Sequence, residues 1–171
     1  GELTGLTVAV KDVFEVEGFA MGAGNPVWLA ERTPARHDSA AVAALREAGA
    51  AVAGLAHTDE FAYSIAGRNA HWGTPPNGAA PDRIPGGSTS GPASAVAAGQ
   101  AEIGLGTDAA GSVRVPASYQ GLWGLRSTHR STPPNPHSAT CAKSSRRLPR
   151  MPASWASSST STSTAASWRS R

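Results

Sequence analysis

Apolar positions along this chain fall in short runs separated by polar or glycine-rich stretches. No run approaches the roughly 18 residues of a membrane-spanning helix. Residues 6–10 (LTVAV) form a short run bounded by Gly5 and by Lys11-Asp12, the pattern of a buried strand. Residues 37–50 (HDSAAVAALREAGA) predict a helix. Asp38 or Ser39 can cap it, Val42 and Leu45 share one face, and Gly49 ends it. Residues 51–56 (AVAGLA) read as a second buried strand, and residues 58–65 (TDEFAYSI) as a short helix capped by Thr58 or Asp59. Residues 66–88 are rich in glycine and proline and predict a long loop, a feature usually tied to function in a compact domain. Gly91-Pro92 predicts a helix start with Pro92 at the first helical position. Residues 102–108 (EIGLGTD) follow as a strand, 116–120 (PASYQ) as a helical turn and 121–125 (GLWGL) as a last strand.

Strand and helix thus alternate, which predicts an α/β fold with a mainly parallel mixed sheet flanked by helices. In such sheets ligands bind at the carboxyl ends of the strands. Lys11 and residues 106–112 occupy such ends.

After His129 the periodicity dissolves. Residues 1–129 carry a net charge of −4, whereas 130–171 hold seven Lys and Arg, no acid, and no Val, Ile or Gly. That tail cannot bury enough apolar surface to offset its chain entropy, so disorder is expected for 130–171, with the folded unit at 1–129. The high isoelectric point therefore belongs to the tail. Without interleaved aromatics or a folded basic face it does not predict a nucleic-acid partner. Cys141 is the single cysteine, which excludes an intrachain disulfide. No leader or membrane span is expected, and a cytoplasmic location is.

The segment PGGSTSGPASAVAAGQAEIGLGTDAAGSVRVPAS (residues 85–118) holds two serine-bearing glycine loops around an Ala-rich helix. Neither loop has the lysine of a phosphate-binding P-loop. GLGTDAAG lacks dinucleotide-fingerprint spacing, and its Asp108 would repel phosphate. A nucleophile fits better. Ser112 follows small residues whose backbone N–H groups can turn inward to stabilise an oxyanion. A serine nucleophile needs a base. His37, His57, His71 and His129 stand in no recognised triad context. Lys11 is the one lysine of residues 1–129, and burial could lower its pKa into a useful range, though composition alone favours a solvated strand-end lysine.

Three stretches, AVKD, PGGSTSGPASAVAAG and GLGTDAAGSVRVPASYQGLWGLR, resemble the amidase signature family. Residues 59–87 resemble its branch of plant indole-3-acetamide hydrolases and related bacterial amidases. The resemblance covers about residues 3–129. It implies a Ser-cisSer-Lys triad of Ser112 (nucleophile), Ser88 (proton bridge) and Lys11 (base), with the two serines 24 positions apart. It also implies an oxyanion hole from the backbone of Ala109, Ala110, Gly111 and Ser112, with Asp108 and Arg114 as loop braces. The implied reaction hydrolyses a small-molecule carboxylic amide through an acyl-enzyme, without metal or other cofactor. The alternatives are a non-catalytic remnant and a relative of glutaminase-type amidotransferase subunits. Two departures stand out. Ala110 replaces the first of the family's two glycines before the nucleophile, and the family's ordered continuation is missing after His129, as a truncation or frameshift would produce.

Overall fold

The computed structural model describes residues 1–127, 138–142 and 161–162. Its strands are β1 (Thr7–Lys11), β2 (Ala51–Ala56), β3 (Ile103–Thr107), β4 (Trp123–Arg126), β5 (Ser138–Ala142) and β6 (Ser161–Thr162). Its helices are α1 (Pro26–Ala30), α2 (Ala40–Glu47), α3 (Ser90–Ala97) and α4 (Arg114–Tyr119). The sheet runs β2-β1-β3-β5-β4-β6. β1 pairs in parallel with β2 and with β3. β5 lies antiparallel between β3 and β4, and β6 pairs antiparallel with β4. The α/β class and the mixed sheet are as expected.

The parallel half positions the site. Alternation along β1 sends Val8 and Val10 to one face, where they meet α2 residues Val42 and Leu45 together with Leu55, Ile103 and Leu105. Each such side chain contributes about 1.5–3 kcal/mol by leaving water. Ala9 faces the other way, against Ala95 and Val96 of α3. Lys11, two residues further on, inherits the α3 side by the same two-residue period. Small residues on that face let α3 sit directly on the sheet. A Cβ at Gly91 would lie 2.1 Å from the backbone nitrogen of His57, and one at Gly106 would lie 2.3 Å from Thr89 Cγ2. Every residue from Ser90 to Val96 is buried.

Several sequence expectations need correction. α3 begins at Ser90, so Pro92 is its third residue, not its first. The helix expected over 58–65 shrinks to a single 3-10 turn, Glu60–Ala62, because Phe61 takes φ +49°. α2 starts after Ser39 as expected but without a side-chain cap. Asp38 instead accepts the Glu17 N–H at 2.8 Å and pairs with Arg46 at 2.9 Å. Helix α1 was not foreseen. Asn25 caps it, its Oδ1 accepting the Trp28 N–H at 2.8 Å, with Pro26 in the first turn. The disorder expected for 130–171 concerns residues largely outside those described, but 138–142 and 161–162 are strands. Cys141 is buried on β5 against Ala93 and Val113, and that burial pushes its thiol up to about 12. A strand of small residues survives there because pairing with β3 and β4 satisfies its backbone on both sides.

Candidate active site

Three loops at the carboxyl ends of β1, β2 and β3 meet over the start of α3. Lys11 closes β1 with its side chain fully buried. Its Nζ lies 2.8 Å from Ser88 Oγ and 2.7 Å from Thr107 Oγ1. Burial pushes the amine down to about 7, against the pull of the Asp59 and Asp108 carboxylates, which favour the charged form. A lysine in that range is half neutral near physiological pH and can accept a proton.

Ser88 is buried in the turn that enters α3, and the Gly87–Ser88 peptide is cis. Its carbonyl accepts the Thr58 hydroxyl at 2.9 Å and the Asp59 N–H at 3.4 Å, which pins the turn to the end of β2. The next residue reaches the second loop: the Thr89 N–H donates to the Ser112 carbonyl at 3.0 Å. The structure thus joins Lys11 to Ser88 directly and Ser88 to the Ser112 loop through one backbone bond. The two serine hydroxyls are not hydrogen-bonded to each other. Ser112 itself is nearly buried.

Asp108 organises the loop around Ser112. Its buried carboxylate accepts the backbone N–H groups of Gly111 (2.8 Å), Val113 (3.2 Å) and Arg114 (3.1 Å). The Arg114 guanidinium adds Nε at 3.0 Å and Nη2 at 2.8 Å. Burial would raise this carboxyl, but Arg114 and the three N–H groups outweigh it and hold the pKa down to about 2. The Gly111 N–H is consumed by this brace, so of the four residues expected to form an oxyanion hole, Gly111 is the one whose donor is already engaged. Backbone strain in this loop falls on Gly111, at φ +109°, and Ala110 lies outside the left-handed region. The replacement of a family glycine by Ala110 is therefore accommodated, with its methyl exposed.

The histidines take other roles. His71 pairs with Glu60 at 2.8 Å, and the His57 carbonyl accepts the Gly91 N–H. His129 lies outside the described residues. Two further site residues were missed in the sequence. Thr107 touches the lysine amine, and Asp59, buried after β2, accepts the Gly67 N–H at 3.0 Å and acts electrostatically on Lys11. The TD pair at 107–108 belongs to the GLGTDAAG stretch, but only the sheet shows that its threonine turns toward β1. Among the described residues no cluster of His, Cys, Asp and Glu could hold a metal ion, and no helix is long and apolar enough to cross a membrane.

Comparison with known proteins identifies the family. The model of the Amidase family matches residues 1–147. The chain belongs to the amidase family. The match extends beyond His129, where the sequence placed the end of the folded unit. Amidase 1 of Arabidopsis thaliana is 54% identical over 127 residues, covering 74% of this chain and 30% of the relative. "Translocon at the outer membrane of chloroplasts 64" of Pisum sativum is 46% identical over 127 residues, 74% of this chain and 21% of that protein. Among solved structures, the S177A form of Kluyveromyces lactis allophanate hydrolase superposes with a TM-score of 0.75 at 32% identity, covering 81% of this chain and 24% of that one. The chain thus spans about a third or less of the length of the relatives it matches.

Proposed function

We propose that this chain carries the catalytic centre of a serine amidase that hydrolyses a small-molecule carboxylic amide to the acid and ammonia or an amine. The observation that carries the reading is the fully buried Lys11 amine, 2.8 Å from Ser88 Oγ, in a turn bonded to the Ser112 loop.

Ser112 Oγ attacks the amide carbonyl as its proton passes to Ser88 Oγ, and the Ser88 proton passes to the neutral Lys11 amine. The N–H groups of Ala109, Ala110 and Ser112 are the candidate donors to the oxyanion, since Asp108 holds that of Gly111. Each such donor is worth roughly 3–4 kcal/mol of transition-state stabilisation. The C–N bond then breaks while the Lys11 ammonium returns a proton through Ser88 to the leaving nitrogen. Water attacks the resulting ester, gives its proton to the same relay, and releases the acid and free Ser112. Asp108 and Arg114 hold the loop and take no part in proton transfer. Aryl-acetamides are the first substrates to try, on the resemblance of residues 59–87 to the indole-3-acetamide hydrolase branch.

The test is labelling of the full chain by a fluorophosphonate probe, with ammonia release from aryl-acetamides measured in parallel. Labelling that disappears in Ser112→Ala is expected. Equal labelling of both proteins would remove Ser112 from the nucleophile role.

A further inference from the structure

A neutral amine has two N–H donors and one lone pair. Lys11 Nζ has two hydroxyl neighbours, Ser88 Oγ at 2.8 Å and Thr107 Oγ1 at 2.7 Å. To act as a base toward Ser88, the lone pair must face Ser88 and an N–H must face elsewhere. Thr107 is the acceptor at hand for that N–H. We propose that Thr107 is a positioning residue for Lys11, its Oγ1 accepting one amine N–H so that the lone pair points at the Ser88 hydroxyl.

The geometry supports this assignment from two sides. Thr107 ends β3 and Lys11 ends β1, and these strands pair in parallel with Val10 opposite Leu105, so both termini open into the same loop cluster. The backbone around Thr107 is also engaged, its carbonyl accepting the Thr89 hydroxyl at 3.4 Å, which couples this strand end to the turn that carries Ser88. The charged groups acting on Lys11 are Asp59, after β2, and Asp108, after β3, the latter paired with Arg114. Among the described residues the hydrogen bonds of the amine are those to Ser88 Oγ and Thr107 Oγ1, so the two hydroxyls set its direction.

The inference rests on the reading of Lys11 as the base, but it can be tested without catalysis. Lys11 and Lys143 are the only lysines. In a Lys143→Arg background, a single lysine labelled with 13C at Cε reports its own titration by NMR. The wild-type midpoint is expected near 7. Thr107→Val keeps the shape and removes the acceptor. Loss of a hydrogen bond that favours the charged amine should lower the midpoint by about one to two pH units. Thr107→Ser should restore it to within about half a pH unit. A purely structural role gives the opposite sign, because a loosened site hydrates Lys11 and moves its midpoint up toward the ordinary lysine value. An unchanged or raised midpoint in Thr107→Val overturns the proposal. Thr107→Ala supplies a second hydroxyl-free variant with the same criterion should the valine protein not fold. A wild-type chain that hydrolyses no amide, yet shows the lowered midpoint in Thr107→Val, would sink the amidase reading and leave this one standing.

Discussion

Arg114 grips Asp108 with both faces of its guanidinium fork, Nη2 on Oδ1 at 2.8 Å and Nε on Oδ2 at 3.0 Å, while the carboxylate is completely buried. The loop that carries Ser112 is wrapped around this pair, so its shape depends on a charge.

Asp108→Asn should therefore cost about 3 kcal/mol, because Arg114 and three backbone N–H groups lose an ionised acceptor. Urea unfolding at neutral pH measures this. The acid limb carries the same information. The native carboxyl is held at about 2, below its ordinary 3.8, so its contribution is complete above that ordinary value and drains away as the pH falls toward 2. The part lost in acid is about 2 kcal/mol, and it should be missing from the Asn variant.

Lys11 works in the opposite sense. Its native pKa lies well below its unfolded value, so between about 7 and 10.5 the unfolded chain binds more protons than the native one. Wild-type stability should rise with pH across that window, and Lys11→Met should flatten this rise. At pH 6 the methionine protein should be the more stable by about 1–3 kcal/mol, since it buries no charge, and it should not hydrolyse amides. A variant with the wild-type slope would show that the amine is not desolvated.

Asp59→Asn removes one of the two carboxylates that favour the ammonium form. The midpoint of Lys11 should fall, by roughly half a pH unit or more, and the acid limb of kcat/KM should move the same way. Asp59 is itself held above the ordinary carboxyl range by burial, opposed by Ser64, Gly67, Lys11 and Ser90. A limb displaced to higher pH would mean that the carboxylate does not act on Lys11 through its charge.

Gly111→Ala tests the strained turn before the nucleophile. The residue sits at φ +109°, and a Cβ there would meet Val115 Cγ2 at 3.0 Å. A loss of about 1–2 kcal/mol in stability is expected, with a larger fractional loss of fluorophosphonate labelling as Ser112 is displaced. Ala110→Gly, at a position already outside the left-handed region, should change stability by less than about 1 kcal/mol.

What the sequence revealed and hid follows from the range of each interaction. The apolar runs at 6–10, 51–56 and 102–108 located β1, β2 and β3 to within a residue or so at each end, because burial on both faces of β1 and β3, shared by the carboxyl half of the edge strand β2, writes itself locally as continuous hydrophobicity. The Lys11, Ser88 and Ser112 positions came from motif resemblance. Periodicity placed Lys11 at a strand end but could not distinguish a buried amine from a wet one. Strand β5 was illegible. Its sequence SATCA carries no hydrophobic alternation, and its place between β3 and β4 is set by pairing alone. The helix expected over 58–65 failed because the Phe61 N–H bonds to the Ala23 carbonyl at 2.8 Å, a tertiary contact that draws the backbone out of helical geometry. Asp59 and Thr107 were hidden for a similar reason: each matters only through Lys11, 48 and 96 positions away.

The separation of Lys11 from Ser88 by 77 residues has a consequence for the birth of the protein. As the polypeptide emerges, β1 is made long before β3 and the turn at Ser88 exist to enclose it. Until those partners arrive the amine stays in water with the proton affinity of any surface lysine, and the nascent chain has no base. Reactivity is thus switched on by closure of distant strands, the slowest kind of contact for a polypeptide to make.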